Sequence, residues 1–167
     1  ESSHLKLDDQ GNGYSAGNFA GNLSFSGNTY LSNTGSNSLN GFLAAYDVLT
    51  GKQKWFVQLK QGSKNGELRM TGIDFKNGAG IVTGIVYSSN ETLQIGNKTF
   101  LFQDPGYFSF NFNASGNIYN FNILHSSYPY WNLYSRNLVT YNHLDNNTTT
   151  CFDFTGSVKY GGISYPA

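Results

Sequence analysis

Ten basic and ten acidic side chains cancel in this chain of 167 residues, and together they make up only 12% of it, against roughly 25% in an ordinary soluble domain. A molecule without net charge sets up no long-range field, which excludes nucleic acid and anionic membrane surfaces as partners steered by charge. Its 38% hydrophobic and 16% aromatic content excludes a solvated, disordered chain and is enough for one core.

The polar surface is left to neutral groups. There are 21 asparagines beside 20 glycines, a composition that suits an extracellular protein. Cys151 is the only cysteine, so neither an internal disulfide framework nor a zinc set can form; it is expected to be a buried free thiol. The most apolar run, Phe42 to Leu49, is interrupted by Asp47 and too short to span a bilayer. From Glu1 onward no basic and apolar leader is present, and any signal peptide is expected to have been removed.

In chain order, His4 to Asp8 reads as an opening strand. Asp8-Asp9-Gln10-Gly11-Asn12 then reads as a turn held by side-chain hydrogen bonds, because it lacks the later acidic ligands of a calcium loop. Gly13 to Gly17 continues as strand, and Ser26 to Tyr30 reads as a small hairpin. Gly41 to Asp47 follows, and after Thr50-Gly51 comes the alternation Trp55, Val57, Leu59. Beyond Asn65-Gly66 and Asn77-Gly78, dipeptides that supply positive φ for tight turns, the same succession returns: Gly80 to Gly84, Ile95 to Phe100 (matching Ser26 to Tyr30 with one residue inserted before the aromatic), and Phe108, Phe110, Phe112 alternating with Ser109, Asn111, Asn113. Eight residues lead from Asp47 to Trp55 and eight from Asn113 to Phe121, which places Trp55 and Phe121 at equivalent, buried sites. A third, partial copy starts near Leu138 and runs past Asp153 to Gly156. No window carries a helical stripe. The expectation is a single all-β unit over 1–167, in copies of about 4–62, 66–127 and 136–167, each an antiparallel meander of four strands and a small hairpin.

These turn glycines and core aromatics resemble the SBBP-type β-propeller repeat, a secreted bacterial and archaeal module of about this length. The similarity covers residues 5–125 well and 138–165 loosely. It departs where Asn113 stands for the usual acidic residue and Phe121 for the usual tryptophan. The resemblance implies propeller-like blades, yet about 2.5 copies fall short of the 4–8 blades that close a ring. Either the chain is a piece of a longer protein, or neighbouring chains complete it, or the strands form a compact β-sandwich or short barrel.

Six asparagines satisfy the N-glycosylation pattern: Asn22, Asn90, Asn97, Asn113, Asn146 and Asn147. The stretch 127–134 is densest in aromatics, and Tyr128, Tyr130, Trp131 and Tyr134 are a candidate binding loop for glycan or peptide, or else a plug between copies two and three. His4, His125 and His143 lack the spacing of a shared metal site. With no nucleophile elbow, phosphate loop or HExxH pattern, neither an enzyme site nor a cofactor is expected. The sequence leads to a structural or adhesive protein of the cell surface that assembles with other chains through exposed β-edges. The alternative is a glycan- or peptide-binding module of a larger propeller.

Overall fold

The computed structural model describes residues 2–32, 39–63, 66–126, 138–142, 147–151, 157–160 and 163–166. It is all-β and antiparallel. The first meander comprises β1 (Ser2–Leu7), β2 (Asn12–Phe19), β5 (Asn40–Asp47) and β6 (Gln53–Gln61), with the hairpin β3 (Asn22–Phe25) and β4 (Asn28–Leu31) between its second and third strands. The second repeats this plan: β7 (Leu68–Lys76), β8 (Ala79–Val86), β11 (Gly106–Asn113) and β12 (Ile118–Ser126), with the hairpin β9 (Glu91–Ile95) and β10 (Lys98–Phe102). Four further strands follow, β13 (Leu138–Asn142), β14 (Asn147–Cys151), β15 (Ser157–Tyr160) and β16 (Ile163–Pro166). Cys151 thus closes a strand, opposite Leu138. The described residues form no closed barrel or propeller ring; they form two six-stranded sheets and two hairpins.

The turns follow from residue chemistry. Asn77 and Gly78, with φ of 51° and 81°, make the two-residue turn between β7 and β8, and Ser26 and Gly27, with φ of 47° and 80°, make the one between β3 and β4. Positive φ at both central positions matches the right-handed twist of the flanking strands.

The repeat is one of register as well as pattern. Gly13 lies opposite Tyr46 and Gly17 opposite Phe42; Gly80 lies opposite Phe112 and Gly84 opposite Phe108. A Cβ at Gly13 would come within 2.6 Å of the Tyr46 ring, and one at Gly80 or Gly84 would collide with Phe112 or Phe108. Gly13, Gly80 and Gly84 are therefore each the bed of an aromatic ring on the neighbouring strand.

The sheets pack face to face. Strand β7 lies against β1, β2 and β5, and β13 lies in the same way against β7 and β8. The core between the sheets joins Tyr14, Leu43 and Leu59 of the first to Phe75, Phe108, Phe110 and Phe112 of the second. Tyr14 stacks on Phe75 with ring centroids 3.8 Å apart. The buried side-chain amide of Asn18 acts as a piece of strand: it donates to the Leu68 carbonyl at 2.6 Å and accepts from the Met70 N–H at 2.8 Å.

Two expectations from spacing are corrected. Phe121 stacks on Phe100, as Phe56 stacks on Tyr30, at centroid separations of 3.6 and 3.7 Å, so Phe121 corresponds to Phe56 and not to Trp55. The cause is a turn one residue shorter: Asp47 bonds to the Lys52 carbonyl, but Asn113 bonds to that of Asn117. A one-residue difference puts each side chain on the opposite face. Trp55 and Phe121 are both half-buried against the core, Trp55 beside Tyr14 and Phe112, Phe121 beside Phe100, Phe108 and Phe110. The small hairpins also align without an insertion, since Phe25 faces Asn28 and Ile95 faces Lys98 across two-residue turns.

Candidate functional site

The feature with most bearing on function is the way consecutive sheets share strands. Strand β9 leaves its own meander and pairs with the last strand of the preceding one, Leu59 facing Ile95, Lys60 facing Gln94 and Gln61 facing Leu93. The sheet order becomes β1-β2-β5-β6-β9-β10. The second sheet is extended alike, by β15 on β12, with His125 facing Lys159 and Ser126 facing Val158. Meanwhile the hairpin rings stay on their own repeat, Phe100 over Phe121 and Phe102 edge-on to Phe108. The β9–β10 hairpin therefore grips two sheets at once.

A buried carboxylate anchors this exchange. Glu91, the first residue of β9, accepts from the backbone N–H groups of Gly62 and Ser63 at 3.0 Å each and of Thr92 at 2.9 Å, and from the Ser63 hydroxyl. Four donors satisfy a charge that would otherwise be costly to bury. Gly62 and Gly66 leave the room it needs: a Cβ at Gly66 would lie 2.7 Å from the carboxylate. The sequence offered no pointer to Glu91 beyond an acid standing alone before an alternating strand, since its partners lie 28 and 29 residues away.

The first repeat has no strand on the outer edge of β3 among the described residues. Its hairpin folds over the sheet's outer face, where Phe19, Phe42 and Ala44 are buried and Leu23, Phe25, Tyr30 and Phe56 are half-covered. Beside it runs a groove of about 300 Å³ lined by Tyr30, Phe56, Val57, Gln58, Lys60, Gln94 and Gly96.

The asparagines of the glycosylation pattern fall on the rim of the strands. Asn22, Asn90 and Asn97 are exposed, the last two in turns, and Asn113 is half-buried with its side-chain oxygen accepting from the N–H groups of Ser115 and Asn117, both at 3.0 Å. Asn147 opens β14, and Asn146 lies outside the described residues. Tyr128, Tyr130, Trp131 and Tyr134 also lie outside them.

The segment from Asp8 to Asn12 is a closed network of side-chain hydrogen bonds. The Asp8 carboxylate accepts from the N–H groups of Gln10 and Asn12, the Asn12 amide and the Tyr14 hydroxyl at 2.7 to 3.0 Å. Burial works to raise its pKa, but these hydrogen bonds outweigh burial and hold it below the usual carboxylate range. The same contact, with burial acting first, pushes the Tyr14 phenol far above its ordinary value. Asp47 is likewise held low by the N–H and hydroxyl of Thr50. Among the described residues, no three His, Cys, Asp or Glu side chains converge as a metal site, and no helix is long and apolar enough to cross a membrane.

Comparison with protein-family models, with characterised proteins and with solved structures finds no match to this chain.

Proposed function

We propose that this chain is a structural repeat module of the cell exterior, related to the secreted propeller repeats, that assembles with other chains through its open β-edges. The observation that carries the reading is the sharing of strands between successive sheets. A fold that completes each sheet with a hairpin from the next repeat is built to do the same across a chain boundary, where backbone hydrogen bonds give affinity and alternating side chains give register. The edges support it. β1 ends the first sheet with Leu5 and Leu7 exposed and only Lys6 between them, few of the charges that blunt a free strand. The exposed asparagines at 22, 90 and 97 leave room for glycans on an extracellular surface.

Sedimentation velocity over a concentration series tests this. Species larger than the 18.4 kDa chain, growing with concentration, are expected; a monomer throughout overturns it.

A second reading has its own observation. The groove beside β6 joins two aromatic rings to Lys60, Gln58 and Gln94, the mixture that holds a sugar ring or a short peptide. Amide shifts at Gln58 and Gln94 on titration with oligosaccharides are its expected signature, and unmoved signals refute it.

A further inference from the structure

The two repeats hold the same positions in different surroundings, and the difference singles out one surface. Leu7 faces Gly13 as Phe75 faces Gly80, and Leu5 faces Ser15 as Ile73 faces Val82, so Leu5 and Leu7 stand where Ile73 and Phe75 stand one repeat later. Ile73 and Phe75 are 5% exposed, whereas Leu5 and Leu7 are 54% and 58% exposed. The hairpins agree. Leu93 and Ile95 are 0% and 4% exposed, but their counterparts Leu23 and Phe25 are only half-buried.

What buries the second set is known from the structure: the first meander. Tyr14 stacks on Phe75, and β6 pairs with β9, setting Leu59 against Ile95. Four apolar side chains in the first repeat thus lack, among the described residues, the full cover that β1–β6 gives their counterparts in β7–β12.

From this equivalence, and resting on the assembly reading above, we infer that the outer face of the first repeat, with the free edge of β3, is a docking site for a meander repeat of the same build carried by a second chain. The chemistry of the occupant follows from the internal interface. Its last strand runs antiparallel to β3 and sets an apolar side chain against Phe25, as Leu59 is set against Ile95. Its second strand sets an aromatic ring over Leu7, as Tyr14 is set over Phe75. The rim stays polar, since Gln58 stands where the second repeat has Ile123; Gln58 faces Phe42 and Ile123 faces Phe108.

The register gives the test. Gln94 faces Lys60 across the internal pair, and Ser24 takes the place of Gln94 on β3. The probe is a peptide with the sequence of residues 53–61 carrying Lys60→Cys, offered to the full chain with Cys151→Ser and Ser24→Cys. Disulfide formation at least about tenfold faster than with Thr29→Cys on β4, and than with a scrambled peptide, is the expected result, about 1.4 kcal/mol of preference. Equal rates overturn the site. Ser24 and Thr29 are exposed, so neither substitution threatens the fold. As a second readout, the unlabelled native chain should show slowed amide exchange at Leu23 and Phe25 when the peptide without the cysteine is added; unchanged exchange counts against the site equally. The outcomes separate the two claims. Concentration-dependent assembly without preference for Ser24→Cys leaves assembly standing and refutes this surface. Preference for Ser24→Cys on a chain that stays monomeric supports the surface and refutes self-assembly.

Discussion

Phe121 lies face to face with Phe100, their ring centroids 3.6 Å apart and their planes at 19°. Phe121 also stacks on Phe108 and Phe110 at 5.9 and 6.3 Å, so it joins the hairpin to the meander it covers. Phe121→Ala removes one end of this stack. Full burial of such a ring costs roughly 3–5 kcal/mol on truncation; half-buried Phe121 should lose about 2–3 kcal/mol in urea melts. A loss below about 1 kcal/mol would mean that the stack is not part of the stabilising core.

Gly84 is held between Phe108 and the backbone of the neighbouring strand. A methyl group there would strike the ring and lie 2.8 Å from the Arg69 carbonyl oxygen, which cannot swing away as a side chain can. Gly84→Ala should destabilise by about 1–3 kcal/mol, the range for overpacking. Gly27→Ala, at a turn with open space around it, should cost only about 1 kcal/mol through its positive φ. Equal losses in parallel thermal melts would contradict the close approach at Gly84.

Glu91 holds the β6–β7 connection to β9, so its loss should be felt where the sheets exchange strands. Glu91→Gln keeps one accepting oxygen but turns an amide N–H₂ toward donors. A cost of about 1–3 kcal/mol is expected. Amide exchange should speed up first at Leu93 and Ile95, which pair with β6. Uniform acceleration across both sheets would show a global effect in place of a local release.

The Asp8–Tyr14 contact sets a dependence on pH with two limbs. A carboxylate whose folded pKa is depressed adds stability above its unfolded pKa of about 4, lost as pH falls through the lower folded value. A phenol whose folded pKa is raised adds stability below its unfolded value of about 10, lost as pH climbs through the folded one. Asp8→Asn should flatten the acid limb of a stability profile. Absorbance titration should find one tyrosine, absent in Tyr14→Phe, that stays protonated well into alkali. Identical acid limbs for Asp8→Asn and the native chain would remove Asp8 as its source.

Much of the local structure can be read from residue order. Alternation at Phe108, Phe110 and Phe112 marks a strand with one buried face, and these rings enter the core as a set. Asn77-Gly78 marks a turn and makes one. The glycines at 13, 17, 80 and 84 mark a repeat, and at 13, 80 and 84 only glycine leaves room for the ring on the next strand. All of these depend on neighbours in sequence or on a period of two, which a single chain displays openly.

The decisions made by tertiary structure concern partners far along the chain. Nothing near Glu91 announces Gly62 and Ser63, and nothing in the pattern 91–95 says that this strand completes the previous sheet in place of its own. A turn shortened by one residue moved Phe121 into register with Phe56, although equal spacing pointed to Trp55. Trp55 instead reaches the next repeat, donating its indole N–H to the Ala114 carbonyl at 2.7 Å. Periodicity specifies which face of a strand is apolar, but it does not say against what that face is laid. That choice depends on backbone hydrogen bonds and ring contacts that exist only once two sheets meet, and here it separates a buried Ile73 from an exposed Leu5.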